Sequence, residues 1–281
     1  MIEYAHAKIN LCLDVKRRKE DGYHELESIF LPLTLCDILE IEPIEGSRSI
    51  VICNEPQIPT DERNLIHKAI SLMQNTYGIS QQFQVLLQKR IPTEAGLGGG
   101  SSDAAATLRA LNQLLDLRLS TATLQKMGKT LGADVPFFIE SKSAYAEGIG
   151  EKLIPIDISV FPHILLVKPH VGISTKEAFQ QLDLKTCAHP DSQKVQTLLK
   201  QQNWQAMYPL LGNSLEDSAM QLQPEIQEIK QALLAFGFDC ALMSGSGSTV
   251  FALTMQEEVM KHGSKEFQNK GYFVCETNVK V

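Results

Sequence analysis

The residues best suited to do chemistry form a glycine-rich segment near the middle of the chain. From position 91 to position 102 it reads Ile-Pro-Thr-Glu-Ala-Gly-Leu-Gly-Gly-Gly-Ser-Ser, with four glycines in the five positions 96–100. Glycine lets the backbone approach a ligand closely and lets several N–H groups point the same way. A helix that begins directly afterwards adds its unbonded N–H groups and the positive end of its dipole. This combination favours an anion, and a nucleotide phosphate is the anion we expect.

The glycine segment does not match the two commonest phosphate-binding signatures. It has no Gly-Lys-Ser/Thr ending, so it is not a P-loop, and its glycines do not follow the dinucleotide-binding pattern. A glycine-rich surface turn is the simpler alternative. However, the segment joins a predicted strand at Phe83–Gln88 to a predicted helix at Asp103–Leu111, and a flexible linker has no reason to stand there. We therefore predict a phosphate-binding loop.

Three further segments place polar residues in unusual surroundings. Lys8 and Asn10 interrupt an apolar strand and, because side chains alternate along a strand, share one of its faces. Asp134 stands among apolar residues just after a helix stop, and residues 243–249 form a second glycine-rich turn. Each has an ordinary alternative explanation: a solvated strand face for the first, a helix N-cap for Asp134 and a hairpin turn for the third.

Together and in this order, these segments resemble the GHMP kinase superfamily. Within it the chain is similar to the kinases whose acceptor is a diphosphocytidyl derivative of methylerythritol, in non-mevalonate isoprenoid biosynthesis. The resemblance covers essentially the whole chain. The runs that carry it, beside the glycine segment, are Ala7–Leu11, Asp21–Leu26, Leu131–Phe138 and Ser244–Ser248.

The resemblance implies a fold as well as an activity. The fold class would be α+β, a two-domain GHMP kinase fold with its active site in the cleft between the domains. An N-terminal mixed α/β domain that binds ATP would span residues 1–155, and a C-terminal ferredoxin-like split βαβ domain would span residues 156–281. The activity would be transfer of the γ-phosphoryl group of ATP to the 2-hydroxyl of the methylerythritol moiety.

The resemblance also assigns roles to residues that match the motifs. Lys8 and Asp134 would be the catalytic pair, and Mg²⁺ would accompany ATP, with Ser102 as a metal-ligating hydroxyl. The residues expected to bind the cytidine diphosphate substrate are Asn10, Tyr23, His24, Phe179, Gly245 and Ser246. Those expected to line the ATP phosphates are Pro92, Thr93, Glu94, Ala95, Gly96, Leu97, Gly98, Gly99, Gly100, Ser101 and Ser102.

Two alternatives share the glycine segment. A relative that phosphorylates homoserine, mevalonate, a sugar or another polyol would have no need of Tyr23, His24 or an aromatic residue for a base. A nucleotide sensor that transfers nothing would gain nothing from Asp134 beside a retained Lys8.

The elements that must position these residues can be predicted from periodicity. Strands are expected at residues 5–15, 26–35, 37–43 and 83–88, with helices at 64–78, 103–111 and 121–131. The last third predicts a β-α-β-β-α-β order, with strands at 161–167, 239–243, 249–253 and 272–279. That order indicates an antiparallel sheet of the ferredoxin-like kind.

Composition narrows the class of protein further. The chain has 281 residues and a net charge of −7, which argues against a nucleic-acid partner. Its six cysteines are scattered without Cys-x-x-Cys spacing, so neither disulfides nor a metal site is predicted. The N-terminus lacks the apolar core of a signal peptide, and no apolar run approaches the ~18 residues that span a bilayer. We therefore expect a soluble cytoplasmic protein without a membrane partner.

Overall fold

The computed structural model describes all residues of the chain, Met1–Val281, in ten strands and ten α-helices with one 3₁₀ turn at Tyr208–Leu210. The strands are β1 (Ile2–Arg18), β2 (His24–Ile44), β3 (Ile50–Cys53), β4 (Gln82–Gln88), β5 (Ala144–Glu147), β6 (Lys152–Pro155), β7 (His163–Lys168), β8 (Cys240–Met243), β9 (Val250–Thr254) and β10 (Phe273–Thr277). The helices are α1 (Leu65–Tyr77), α2 (Gly99–Leu114), α3 (Thr121–Leu131), α4 (Val135–Glu140), α5 (Thr175–Gln180), α6 (Ser192–Lys200), α7 (Trp204–Met207), α8 (Glu216–Leu222), α9 (Glu225–Phe236) and α10 (Glu257–Asn269).

The chain folds into two compact units whose segments alternate along the sequence. The first unit comprises Met1–Ala7, Leu35–Pro92 and Gly98–Ser141, and the second comprises Lys8–Thr34, Thr93–Leu97 and Lys142–Val281. Strands β1 and β2 and the glycine segment contribute residues to both units. The division expected at residue 155 differs from this grouping, and as a boundary between domains it stays a prediction.

The first unit contains helices α1 to α4 and part of a six-stranded sheet of order β3-β4-β2-β5-β6, in which β1 also pairs with β2. Strand β4 pairs in parallel with β3 and antiparallel with the second half of β2. Helix α2 is rich in alanine and buries Ala104, Ala105 and Ala106 completely, because small side chains let neighbouring helices approach closely. Helix α1 begins at the cap residue Asn64, which accepts from the Ile66 N–H, and ends at Gly78 in the left-handed conformation.

In the second unit, the last third of the chain forms a four-stranded antiparallel sheet. Its strand order is β10-β7-β9-β8, and the pairings β10–β7, β7–β9 and β8–β9 are all antiparallel. Leu165 and Val167 of β7 share a core with Leu233 of α9 and Phe267 of α10. The β-α-β-β-α-β order predicted from the sequence is confirmed, and with it the ferredoxin-like arrangement.

Several elements differ from their predictions for identifiable reasons. The two strands predicted at 26–35 and 37–43 form one continuous strand, because no turn residue separates them. Helix α2 begins at Gly99 rather than at residue 103, since the first turn of a helix needs no N–H partner and tolerates glycine there. The short elements β3, β5, β6, α4, α7 and α8 were not predicted; at four to seven residues they carry too little periodicity. None of the helices combines the length and apolar character needed to cross a membrane.

Candidate active site

Strand β1 carries the first part of the site. Lys8 and Asn10 lie on the same face, as alternation predicts, and both are buried, with 4% and 3% of their surfaces exposed. The Lys8 ammonium donates to the Asn10 side-chain oxygen, and it lies 5.4 Å from the centre of the Phe30 ring. Because a buried ammonium is costly unless it is paired, the alternative of an ordinary solvated strand face is wrong.

In part of the glycine segment, the backbone carbonyl groups are hydrogen-bonded but the backbone N–H groups are not. From Glu94 to Leu97, every backbone carbonyl accepts a hydrogen bond from the second unit, whereas no backbone N–H from residue 93 to residue 97 donates one. The donors are Ile173 N (3.3 Å) and Ser248 N (3.2 Å) to Glu94, Thr249 N (3.3 Å) to Ala95, Ser244 Oγ (3.0 Å) to Gly96 and Lys8 N (3.0 Å) to Leu97. Hydrogen-bonding the acceptors leaves donors for a ligand, which is the arrangement that an anion requires.

The segment keeps this course only with glycine at position 96. Gly96 has φ +70°, and a Cβ there would lie 2.0 Å from the Ser244 carbonyl oxygen. The second glycine turn lies close to the polar pair of β1, since a Cβ on Gly245 would lie 3.2 Å from Lys8 Nζ and 3.1 Å from Asn10 Oδ1. The turn does join β8 to β9 as a hairpin, and its backbone also packs against the Lys8–Asn10 pair.

An aromatic pair lies in the same unit. The Phe179 ring of α5 stacks on His24, with ring centres 4.7 Å apart and planes inclined by 26°. Burial and the nearby Arg18 lower the pKa of His24, so its ring is neutral at pH 7. Tyr23 precedes it in the chain and is exposed. A neutral imidazole beside a phenyl ring offers both a stacking surface and a hydrogen-bonding edge for a flat heterocycle.

A hydroxyl pair connects the second glycine turn to the helix that carries the aromatic ring. Ser246 Oγ lies 2.9 Å from Thr175 Oγ1, at the first residue of α5. Within the second unit, six residues predicted from the sequence therefore lie in three separate sets of contacts. They are Lys8, Asn10, His24, Phe179, Gly245 and Ser246.

Tyr23 and residues 93–97 also belong to the second unit, whereas the first unit holds Pro92, residues 98–102 and Asp134. Ser102, in the first turn of α2, is 1% exposed, and its hydroxyl has no hydrogen-bond partner in the protein. A buried polar atom in that state fits a ligand oxygen or a metal ion. Asp134 occupies the N-cap position of α4, as the simpler alternative predicts, but its carboxylate makes no capping hydrogen bond.

Comparison with known proteins identifies the family. The family models described as "GHMP kinases N terminal domain" and "GHMP kinases C terminal" match residues 64–142 and 195–271. The chain belongs to the GHMP kinases.

This GHMP kinase is similar over its whole length to proteins of one name. It is 40% identical to the 4-diphosphocytidyl-2-C-methyl-D-erythritol kinase of Bacillus subtilis, over 98% of this chain and 96% of that protein. It is 39% identical to the enzyme of the same name from Bacillus licheniformis, with the same coverage. A crystal structure of 4-(cytidine 5'-diphospho)-2C-methyl-D-erythritol kinase matches all of both chains, with a TM-score of 0.83 and 33% identity. The resemblance read from the motifs is confirmed.

The GHMP kinase also contains a buried ionic cluster that the sequence did not reveal. Lys89, which precedes the glycine segment, contacts Asp103, which follows it, at 2.7 Å and Asp37 of β2 at 2.5 Å. The other oxygen of Asp37 accepts from the N–H groups of Arg90 and Ile91 at 2.6 and 2.8 Å. Burial raises the pKa of Asp103 to about 7. Lys89 and Asp103 flank the glycine segment, and these polar residues were a signal of the cluster in the sequence. No feature of the sequence pointed to Asp37.

Proposed function

We propose that this GHMP kinase transfers the γ-phosphoryl group of ATP to the 2-hydroxyl of 4-diphosphocytidyl-2-C-methyl-D-erythritol, in non-mevalonate isoprenoid biosynthesis. The observation that carries the proposal is the end-to-end similarity to kinases that bear this substrate's name. The Lys8–Asn10 pair and the His24–Phe179 pair support it, because one suits a reacting hydroxyl and the other a nucleobase.

The chemistry needs a base, since an alcohol is a poor nucleophile at pH 7. In the proposed reaction, the acceptor oxygen forms a bond to the γ-phosphorus as the bond to the β-phosphate oxygen of ATP breaks, and ADP leaves. The acceptor proton passes to the Asp134 carboxylate, which acts as general base. In this scheme, the positive charge of Lys8 stabilises the negative charge that develops during transfer.

Residues 92–102 are proposed to hold the ATP phosphates through their backbone N–H groups. The hydrogen-bonded carbonyls from Glu94 to Leu97 support this, as does the unpartnered hydroxyl of Ser102. Mg²⁺ would accompany ATP and neutralise part of the negative charge of its phosphates. No group of three or more His, Cys, Asp and Glu residues could hold a metal ion. Mg²⁺ suits a site with few protein ligands, because phosphates and water supply the others, and Ser102 is the ligand that we propose.

The acceptor is proposed to bind in the second unit. The cytosine ring would stack on aromatic side chains of Tyr23, His24 and Phe179, and the neutral His24 would hydrogen-bond to the edge of the base. Asn10, with Gly245 and Ser246 of the second glycine turn, would face the part of the substrate nearer the reacting hydroxyl.

The location of the protein in the cell and the expectation that it binds no nucleic acid stay predictions. We propose a reducing cytoplasmic location, which the six unpaired cysteines support, and no nucleic-acid partner, which the net charge of −7 supports.

A direct test incubates the protein with labelled ATP and a panel of alcohols. We expect phosphate transfer to the diphosphocytidyl substrate and little transfer to homoserine, mevalonate or simple sugars. Preference for an acceptor without cytidine would contradict the choice of substrate. If no acceptor yields ADP although ATP binds, the nucleotide-sensor alternative gains support instead.

A further inference from the structure

A buried serine on the neighbouring strand contacts the Lys8–Asn10 pair. Ser28 of β2 has no exposed surface. Its hydroxyl lies 2.8 Å from the Asn10 side-chain nitrogen and 2.7 Å from the Cys12 carbonyl oxygen. No motif in the sequence marks this serine, and the proposed reaction assigns it no role.

The two contacts of Ser28 determine which way the Asn10 amide faces. A hydroxyl has one proton, and the Cys12 carbonyl can only accept, so Ser28 donates there. Ser28 must then accept from Asn10, which places the amide nitrogen toward Ser28 and the amide oxygen away from it.

The other end of the same amide contacts a group of fixed character. An ammonium can only donate, so Lys8 requires the oxygen of Asn10, and the contact between them provides it. In the flipped orientation, an NH₂ group would face the ammonium, and the amide oxygen would face a hydroxyl whose proton is already donated. Both ends of the amide therefore demand the same orientation.

We infer that Ser28 is a positioning residue for phosphoryl transfer, which fixes the Asn10 amide and, through it, the Lys8 ammonium. The inference rests on the proposed function, since it assumes that Lys8 and Asn10 serve the reaction. Ser28 itself touches neither ATP nor acceptor in this scheme. Its loss leaves the buried amide nitrogen without its acceptor and lets the amide rotate, so that Lys8 loses a defined partner.

The test uses two substitutions of the same size and shape. Ser28→Thr keeps the hydroxyl, whereas Ser28→Val replaces it with a methyl group, and both residues suit a strand. We expect Ser28→Thr to retain turnover within about threefold of wild type and Ser28→Val to lower kcat by about tenfold or more, as loss of a buried hydrogen bond to a polar group implies. The KM for ATP should stay within about twofold in both variants, since Ser28 contacts Asn10, which is proposed to face the acceptor and not ATP.

A matched control separates positioning from general loss of stability. Thr254 lies on β9 with no exposed surface, and its hydroxyl accepts from the Gln256 N–H at 3.1 Å. Thr254→Val exchanges a buried hydroxyl for a methyl group, which is the same exchange that distinguishes Ser28→Val from Ser28→Thr. It should lower the melting temperature without lowering kcat.

Each outcome is informative. Equal kcat values for Ser28→Val and Ser28→Thr would overturn the inference about Ser28. The proposed function would not be affected by that result, provided that the wild-type protein phosphorylates the acceptor. A fall in kcat for Ser28→Val that Thr254→Val reproduces would also overturn it, because the effect would then be structural. If Ser28→Val does not fold, Ser28→Ala takes its place in the comparison. Absence of acceptor phosphorylation by the wild-type protein would instead contradict the proposed function.

Discussion

At the scale of single residues, the site depends on charged and polar side chains placed where water does not reach. Lys8, Asn10 and Ser102 each expose less than a twentieth of their surface, and so does Asp103, which follows Ser102 in the sequence. A polar group in that position needs a partner, and Lys8 and Asn10 supply one for each other. Ser102 has none within the protein, and therefore its partner is expected to arrive with the ligand.

Replacement of Asp134 by Asn tests the proposed base. The amide keeps the shape of the side chain but cannot accept a proton, so kcat should fall by ~10²–10⁴-fold while ATP still binds. Steady-state kinetics and a separate ATP-binding measurement check this. Asp116→Asn is the control, since Asp116 pairs only with the exposed Arg118 and should leave turnover unchanged. Turnover of Asp134→Asn within about tenfold of wild type would contradict the assignment.

Replacement of Phe179 by Leu tests recognition of the nucleobase. Leucine keeps the apolar volume but lacks the flat face that stacks on His24 and, we propose, on cytosine. Stacking of one base on an aromatic ring contributes ~1–3 kcal/mol, so the acceptor KM should rise by about tenfold while the KM for ATP is unchanged. An equal rise in both constants would indicate a general disturbance rather than loss of stacking.

At the scale of elements, hydrogen bonds join the two glycine turns to each other and to the segment that follows β7. The turn between β8 and β9 and the residues after β7 supply most of the donors that hold the carbonyls of the glycine segment. The segment's contour is therefore set by backbone that lies far away in sequence. Both motifs were visible in the sequence, but their contact was not, because periodicity describes single elements and not their partners.

Replacement of Gly96 by Ala tests this close approach. The added Cβ would meet the Ser244 carbonyl at 2.0 Å, so the glycine segment must move, and we expect the KM for ATP to rise by at least about tenfold. Gly78→Ala is the matched control. Its φ of +66° resembles the +70° of Gly96, but a Cβ there meets nothing within 4 Å. Gly78→Ala should lower the stability of the protein, as alanine in the left-handed region does, without changing the ATP kinetics. Similar ATP kinetics for both variants would show that the contact with Ser244 is unimportant.

At the scale of the whole molecule, the sequence predicted the α+β class and the order of the C-terminal sheet, whose long elements have clear periods. Four-residue strands such as β3 and β6 were missed, because pairing partners rather than their own residues make them strands. The grouping of Lys8–Thr34 with Lys142–Val281 could not be predicted either, since it depends on long-range contacts. Among the candidate site residues, motif resemblance pointed to Lys8, Asn10 and Phe179, whereas Ser28 and Asp37 lie outside every motif.

The buried cluster of Lys89, Asp37 and Asp103 makes global stability depend on pH. Because burial raises the pKa of Asp103 from 3.8 to about 7, the folded protein holds a proton that the unfolded chain releases above pH 4. Stability from this group is therefore fully present below about pH 4 and is lost as pH rises toward 7, by up to ~1.4 kcal/mol per pH unit. Urea unfolding of wild type and Asp103→Asn between pH 4.5 and 8 measures it.

The Asp103→Asn variant carries no titrating group at position 103. We expect the difference in unfolding free energy between the two proteins to change steadily up to about pH 7 and then to level off. A difference that does not vary with pH would mean that Asp103 is ionised throughout. Lys89 and Asp37, the charged groups that face Asp103, are the same in both proteins, so their direct contributions largely cancel.

The hydrogen bonds on the glycine segment limit how this enzyme can be divided. A fragment that stopped at residue 155 would retain all four glycines of the glycine segment but would lose the donors Ile173, Ser244, Ser248 and Thr249. Lys8 would be the sole remaining donor to the carbonyls from Glu94 to Leu97. Nucleotide affinity should therefore not survive in such a truncated protein. The same should hold for a chimaera that joins this N-terminal half to a foreign C-terminal half, unless the foreign half supplies equivalent donors.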